Sequence, residues 1–199
     1  VNDQPAFTNL STQNVNEDFT TWTYAPVATD ADNGASLTYT MTNIGSKPAW
    51  LTVTGNGTSS ISFSGRPYND DVTGSPFSVN VRVFDGTANV DGQFNLSVIN
   101  VNDAPVITAS ALTTIDEDQY YNFTVTAVDS DTFVSSETLT FSASNLPSWL
   151  NFNSVTHEFY GTPTNANTGT FTNIRMRVTD VAGLFHEVAF TVTVNAIND

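Results

Sequence analysis

Val101-Asn102-Asp103-Ala104-Pro105 repeats the figure with which the chain opens, Val1-Asn2-Asp3-Gln4-Pro5, and Ile197-Asn198-Asp199 begins it a third time. Internal self-similarity is the first thing to settle in a sequence, because missing it misreads the whole fold. Here it extends across both halves in fixed order. Asn16-Glu17-Asp18 answers to Asp116-Glu117-Asp118, Asp30-Ala31-Asp32 to Asp129-Ser130-Asp131, and Leu37-Thr38-Tyr39 to Leu139-Thr140-Phe141. Pro48-Ala49-Trp50-Leu51 answers to Pro147-Ser148-Trp149-Leu150, Ser64-Gly65-Arg66-Pro67 to Tyr160-Gly161-Thr162-Pro163, and Arg82-Val83-Phe84-Asp85 to Arg177-Val178-Thr179-Asp180. The chain is one module duplicated, with expected boundaries 1–100 and 101–196, and 197–199 opening a further linker. It starts in mid-motif and reads as a fragment of a longer protein.

Within each copy the apolar period is two. Tyr121, Phe123, Val125 and Ala127 alternate with Asn122, Thr124 and Thr126; Ile174, Met176 and Val178 alternate with Arg175, Arg177 and Thr179. Val188, Phe190, Val192 and Val194 do the same. Such runs are strands with one buried and one wet face, and Gly65-Arg66-Pro67, Asp85-Gly86 and Asp91-Gly92 are turns between them. About seven short strands per copy predict an all-β chain of two tandem Greek-key, immunoglobulin-type sandwiches. No segment carries a helical period. Trp50 and Trp149, each before an apolar residue at a strand start, are expected in the cores.

Composition narrows the function. Twenty acids face five bases, a formal charge of −15, with Lys47 the only lysine. Nucleic acid is therefore excluded as a partner. No apolar run is long enough for a membrane-spanning helix. Cysteine is absent, which removes thiol chemistry, thiolate zinc and disulfides. Four Asn-x-Ser/Thr sequons occur, at Asn9, Asn56, Asn95 and Asn122.

The repeated acids fall at strand ends, in loops and in the linker. Asp30/Asp32 and Asp129/Asp131 are i, i+2 pairs, whose side chains point to one side of an extended backbone. Such pairs either cap turns or gather a hard cation, since Ca2+ takes six to eight oxygens from carboxylates, carbonyls and amides. Asn102-Asp103 offers both kinds.

The Asn-Asp-x-Pro linkers, the Glu after the first strand, the Asp-x-Asp loop and the late Val-x-Asp together resemble cadherin repeats. Pro-Ser-Trp-Leu-Asn-Phe, Tyr-Gly-Thr-Pro and Arg-Val-Thr-Asp-Val-Ala-Gly are more similar to the dystroglycan-type cadherin-like (CADG) module of extracellular repeat proteins. The likeness covers both copies, and it implies cadherin-like sandwiches with Ca2+ between successive modules. By position, the junction ligands would be Glu17, Asn102, Asp103, Asp129, Asp131 and Asp180. Asn2, Asp3, Asp30, Asp32 and Asp85 would belong to a site shared with an upstream module, and Glu117, Asn198 and Asp199 to a downstream one. The chain lacks the Asp-Arg-Glu segment that cadherins carry after the fifth strand; Asp70 or Asp71 is the substitute in the first copy, and Thr164-Asn165-Ala166-Asn167 offers no carboxylate in the second. Asn100 and Ala196 stand where the cadherin linker opens with Asp. One or two ions are expected at a full junction, rather than three.

The function this implies is a calcium-rigidified adhesion or spacer repeat of a large cell-surface protein, extracellular, with neighbouring repeats as its partners and a cell-surface protein or polysaccharide as a further one. An alternative is a carbohydrate-binding accessory module of a secreted polysaccharide-acting protein, using Trp22, Tyr24, Tyr120 and Tyr121. Catalysis is not expected: His157 and His186 occur only in the second copy, with no triad or metal spacing around them.

Overall fold

A computed structural model describes residues 1–18, 21–32, 34–133 and 138–198. The chain divides into two compact units, Val1–Val101 and Asn102–Asp199. Apart from one helical turn at Asn69–Val72 and three short 3-10 turns, all regular structure among the described residues is β.

The first unit contains β1 (Ala6–Phe7), β2 (Gln13–Asn16), β3 (Trp22–Tyr24), β4 (Ala28–Thr29), β5 (Thr38–Met41), β6 (Thr52–Thr54), β7 (Ser62–Gly65), β8 (Phe77–Phe84) and β9 (Asn89–Ile99). One sheet runs β2-β9-β8-β5 and the other β3-β7-β6, with β1 paired to β4. The second unit contains β10 (Val106–Ile107), β11 (Thr114–Asp116), β12 (Tyr121–Thr124), β13 (Ala127–Val128), β14 (Thr140–Ser144), β15 (Asn151–Asn153), β16 (Glu158–Gly161), β17 (Gly169–Thr179) and β18 (Phe185–Asn195). Its sheets, β11-β18-β17-β14 and β12-β16-β15 with the pair β10-β13, copy the first topology strand for strand. In each unit the opening strand divides between the sheets, and its second half lies parallel to the last strand, β2 on β9 and β11 on β18. The second strand is also interrupted. In the first unit the break between β3 and β4 holds Pro26, which has no N–H to give a ladder. Joining these interrupted pieces reduces nine segments to the seven strands expected.

The two-residue period is what fills the cores. On β8, Val79, Val81 and Val83 are buried while Ser78, Asn80 and Arg82 face outward; on β17, Ile174, Met176 and Val178 are buried against outward Arg175, Arg177 and Thr179. Each such side chain contributes about 1.5–3 kcal/mol by leaving water. Phe63 and Phe159 sit at the centres, with Leu51 and Leu150 beside them in the same clusters. Trp149 is buried and Trp50 is half-buried against its core.

The helical turn at Asn69–Val72 has no periodic signal because it is held by a cap: the Tyr68 N–H donates to Asp71 Oδ2 at 2.9 Å. In the second unit Asn167 Oδ1 accepts from the Thr164 N–H at 2.9 Å and shapes a 3-10 turn at the matching place.

Candidate cation-binding loops

At the linker end of the second unit, five of the expected ligands are strung on hydrogen bonds. Asn102 Nδ2 donates to Asp180 Oδ2 at 2.7 Å and to its neighbour's carbonyl, Asp103 O, at 3.1 Å. The Asp103 N–H donates to Asp131 Oδ2 at 2.6 Å, and the Asp131 N–H to Asp129 Oδ1 at 2.9 Å. Asp180, at the end of β17, closes the turn into β18 by accepting the Gly183 and Leu184 N–H groups on Oδ1 at 2.6 and 2.8 Å. Gly183 adopts φ +96° there, which L side chains rarely take. The first unit builds the same circuit. Asn2 Nδ2 reaches Asp85 Oδ2 at 3.0 Å, the Asp3 N–H reaches Asp32 Oδ2 at 2.9 Å, and the Asp32 N–H reaches Asp30 Oδ1 at 2.7 Å. Asp85 Oδ1 accepts from Thr87 and Ala88, both at 2.6 Å.

The glutamates do their work at the other end of each unit. Glu17 follows β2, and its Oε1 accepts the Val101 N–H at 2.8 Å; Glu117 follows β11 and accepts the Ile197 N–H at 2.8 Å. The next residue, Asp18 or Asp118, takes φ +55° or +60° and donates its N–H to the carbonyl of Pro67 or Pro163. That bond brings the capped turn after β7, or after β16, alongside the glutamate. Asp71 is already spent as the cap, and Asp70 lies exposed on the same turn. Asn69 in that turn has a buried Oδ1, an oxygen that counting acids does not find. Asn198 is exposed in the outgoing segment, and Asp199 lies outside the described residues.

Burial separates these acids from ordinary turn formers. Glu117 is 0% exposed and Asp131 1%, with Glu17, Asp129 and Asp180 at 5% or less. Glu117 Oε2, Asp131 Oδ1 and, in the first unit, Asp30 Oδ2 are buried and accept no hydrogen bond. A carboxylate oxygen taken from water without a donor is costly, and a bound cation supplies what it lacks. The residues present therefore fit Ca2+ in oxygen type and in this specific deficit. Among the described residues no three His, Cys, Asp or Glu side chains converge into a metal cage, so each unit presents ordered oxygens rather than a closed site.

Hydrogen bonding also sets the ionisation of the two hairpin aspartates. For Asp180, burial pushes the pKa up, and the donors of Asn102, Gly183, Leu184 and Ala182 together outweigh it and hold the carboxyl below its usual range. For Asp85, the Ala88 and Thr87 N–H groups are the main cause of the same downward shift. A carboxyl whose folded pKa is depressed stabilises the fold at every pH above its unfolded value near 4 and loses that contribution as pH falls through the folded value. Asp85 and Asp180 are thus expected to contribute a loss of stability that sets in below about pH 4, and Asp180→Asn should flatten that part of the slope in the second unit; an unchanged slope there would remove Asp180 from the account.

The other polar candidates have structural employment. His157 stacks on Phe141 with ring centroids 3.8 Å apart, and His186 Nδ1 accepts the Ile107 N–H at 2.9 Å. Trp22 and Tyr24 stack on each other at 6.1 Å and pack, half-buried, on the first core. Tyr121 is fully buried, which pushes its phenol up to about 12, whereas Tyr120 is exposed. Asn9, in the first sequon, gives its Nδ2 to the Ala25 carbonyl at 3.0 Å.

Residues 104–195 match the sequence model of the family described as "Putative Ig domain". No curated protein matches the chain. Among solved structures, the human protocadherin-24 EC1-2 fragment superposes with a TM-score of 0.61 at 22% identity, covering 98% of this chain and 99% of that one. The PcdhgB3 EC1-4 fragment gives a TM-score of 0.61 at 17% identity, covering 98% of this chain and 50% of that one. An endo-fucoidan hydrolase of glycoside hydrolase family 107 aligns with 98% of this chain at 22% identity, but at a TM-score of 0.41, and this chain spans only 29% of its length. The protocadherin matches run across both units, so the chain has the fold of two tandem cadherin-like modules, and within the second unit residues 104–195 are similar to the Putative Ig domain family.

Proposed function

We propose that the chain is a calcium-binding, calcium-rigidified extracellular adhesion or spacer repeat of a large cell-surface protein, and that it performs no chemistry of its own. The observation that carries this reading is the circuit built twice, in which the linker Asn-Asp is bonded to the Asp-x-Asp loop and the hairpin Asp while buried carboxylate oxygens stand without donors. Asp129, Asp131 and Asp180 would supply carboxylates to an ion at the second module, with oxygen from Asn102 or Asp103. Glu17, held on the Val101 N–H at the end of the first module, would offer a carboxylate to an ion at that end. Ca2+ would fix the linker's dihedral freedom and so convert a hinge into a stiff joint. Asn2, Asp3, Asp30, Asp32 and Asp85 would serve the preceding repeat in the same way, and Glu117 with Asn198 and Asp199 the following one. Neighbouring repeats are then the main partners.

Thermal unfolding in chelator, in millimolar Ca2+ and in Mg2+ tests this. An ion held only by the folded state at a hundredfold excess over its Kd adds about 2.7 kcal/mol, which raises the midpoint of a module of about 100 residues by roughly 10 °C or more. Mg2+, which demands small octahedral geometry and keeps its waters, should give much less. Equal midpoints in all three buffers would reduce these acids to turn formers.

A further inference from the structure

The chain has five basic residues, and they are not used alike. Lys47 Nζ donates to the Leu51 carbonyl at 2.5 Å, and Arg66 pairs with Asp18 at 3.1 Å. Arg82, on β8, meets its cross-strand partner Asp91 on β9 in a fork, Nε to Oδ1 at 2.6 Å and Nη2 to Oδ2 at 2.9 Å. At the matching place in the second module Arg177 faces Glu187, but a second guanidinium, Arg175, stands where the first module has Asn80. Both arginines bond to the one Glu187 carboxylate. One neutral pair in the first module has thus become two cations on one anion in the second, an uncompensated positive charge on a chain of net −15.

The surroundings give that charge a shape. Ser142 pairs with Arg177 and Ser144 with Arg175 from β14, while Ala189 faces Arg175 from β18. Between the short serines and the arginines lies a hollow of about 300 Å³ on the outer face of the sheet, lined by Ser142, Ala143, Ser144, Arg175, Arg177 and Glu187. Arg175 spends Nε on Asn173 and Nη1 on Glu187, and Arg177 spends Nε and Nη2 on Glu187. Arg175 Nη2 and Arg177 Nη1 remain as planar donors held in place by their other bonds, and Arg177 is further fixed over the Phe185 ring, 4.0 Å from its centroid. Guanidinium donors fixed in this way match the geometry of an oxyanion, and the flanking hydroxyls suit a polyhydroxyl ligand better than an apolar one.

We infer that this face of the second module is a binding site for an acidic saccharide unit, a sugar bearing a carboxylate or a sulfate, with Arg175 and Arg177 on the anion and Ser142 and Ser144 on its hydroxyls. Glu187 positions the arginines and at the same time limits affinity by its own charge.

Chemical-shift titration of the intact chain with a galacturonate oligomer, a sulfated galactan oligomer, a neutral cello-oligomer and tetraglutamate tests the site. At least one anionic sugar should shift the amides around 142–144, 175–177 and 187–189 saturably, in the millimolar range, and comparison of the two identifies the anion. Arg175→Asn installs the first module's residue and is expected to fold, with binding at least tenfold weaker. Glu187→Gln should tighten binding severalfold, an outcome that a purely structural ion pair would not give. No saturable shift up to roughly 10 mM, shifts equal to those of the neutral sugar or of tetraglutamate, or binding untouched by Arg175→Asn would each overturn the assignment.

Discussion

Gly161→Ala is expected to unfold the second module under conditions in which the first stays folded. A Cβ at Gly161 would stand 2.0 Å from the Trp149 carbonyl oxygen, 3.1 Å from its carbon and 3.3 Å from Leu150 Cα. All three are backbone atoms, so no side chain can swing away to relieve the clash. Gly161 is paired with Tyr121 at the end of β16, and Trp149 packs edge-on to Tyr121, so neither segment can move without opening the core. Overpacking usually costs about 1–3 kcal/mol; with backbone as the obstacle the upper end or beyond applies, a fall in midpoint of about 12 °C or more for a module this size. The first module repeats the arrangement, with Gly65 Cβ falling 2.3 Å from the Trp50 oxygen and 2.8 Å from Trp50 Cε3, so Gly65→Ala should unfold that module instead. Amide resonances from each module, followed through a denaturant series, check both. A loss below about 0.5 kcal/mol, the range of unremarkable surface changes, would show that the close approach is not required.

That contact explains why two short motifs recur together in both copies. Pro-x-Trp-Leu and x-Gly-x-Pro lie apart in sequence, yet they are the two sides of a single approach, the tryptophan carbonyl over a residue that must lack Cβ. The strands were legible for a similar reason: burial on one face of a pleat writes a two-residue period into β8 and β17. The acids were legible as positions, since Asp30, Asp85, Asp129 and Asp180 directly follow strands. What the sequence did not show is how the linker is held, because the groups that do it are backbone N–H donors. Asp103 bonds to Asp131 through its amide, and Val101 and Ile197 bond to the glutamates through theirs. Any residue except proline supplies an N–H, so no side-chain pattern records these bonds. The extra charge at Arg175 was equally hidden, because an outward position on a strand looks the same whether it carries Asn80 or Arg175 until the partner across the ladder is known.

Asp131→Asn is expected to change sign with calcium. The side chain is 1% exposed, with Oδ2 taking the Asp103 N–H and Oδ1 buried without a donor. In chelator, the substitution keeps an oxygen for that N–H, removes one negative charge from a loop it shares with Asp129, and replaces the deprived oxygen by an amide. Relief of like charge at a partly desolvated site is on the order of 1 kcal/mol, so the variant should be as stable as the wild type or more so. With saturating Ca2+ the order should reverse. The wild type gains about 2.7 kcal/mol at a hundredfold excess over Kd, whereas a variant whose Kd has risen a hundredfold gains about 0.4 kcal/mol at the same concentration. Asp91→Asn, which breaks only the exposed pair with Arg82 on an outer sheet face, should lower stability by the same small amount in both buffers. Midpoints of the two variants and the wild type, each with chelator and with Ca2+, make the comparison complete. A turn-forming aspartate predicts the same sign in both buffers, because its hydrogen bonds do not depend on the metal. An ion ligand predicts the crossing, because the charge that burdens the empty loop is the charge that binds.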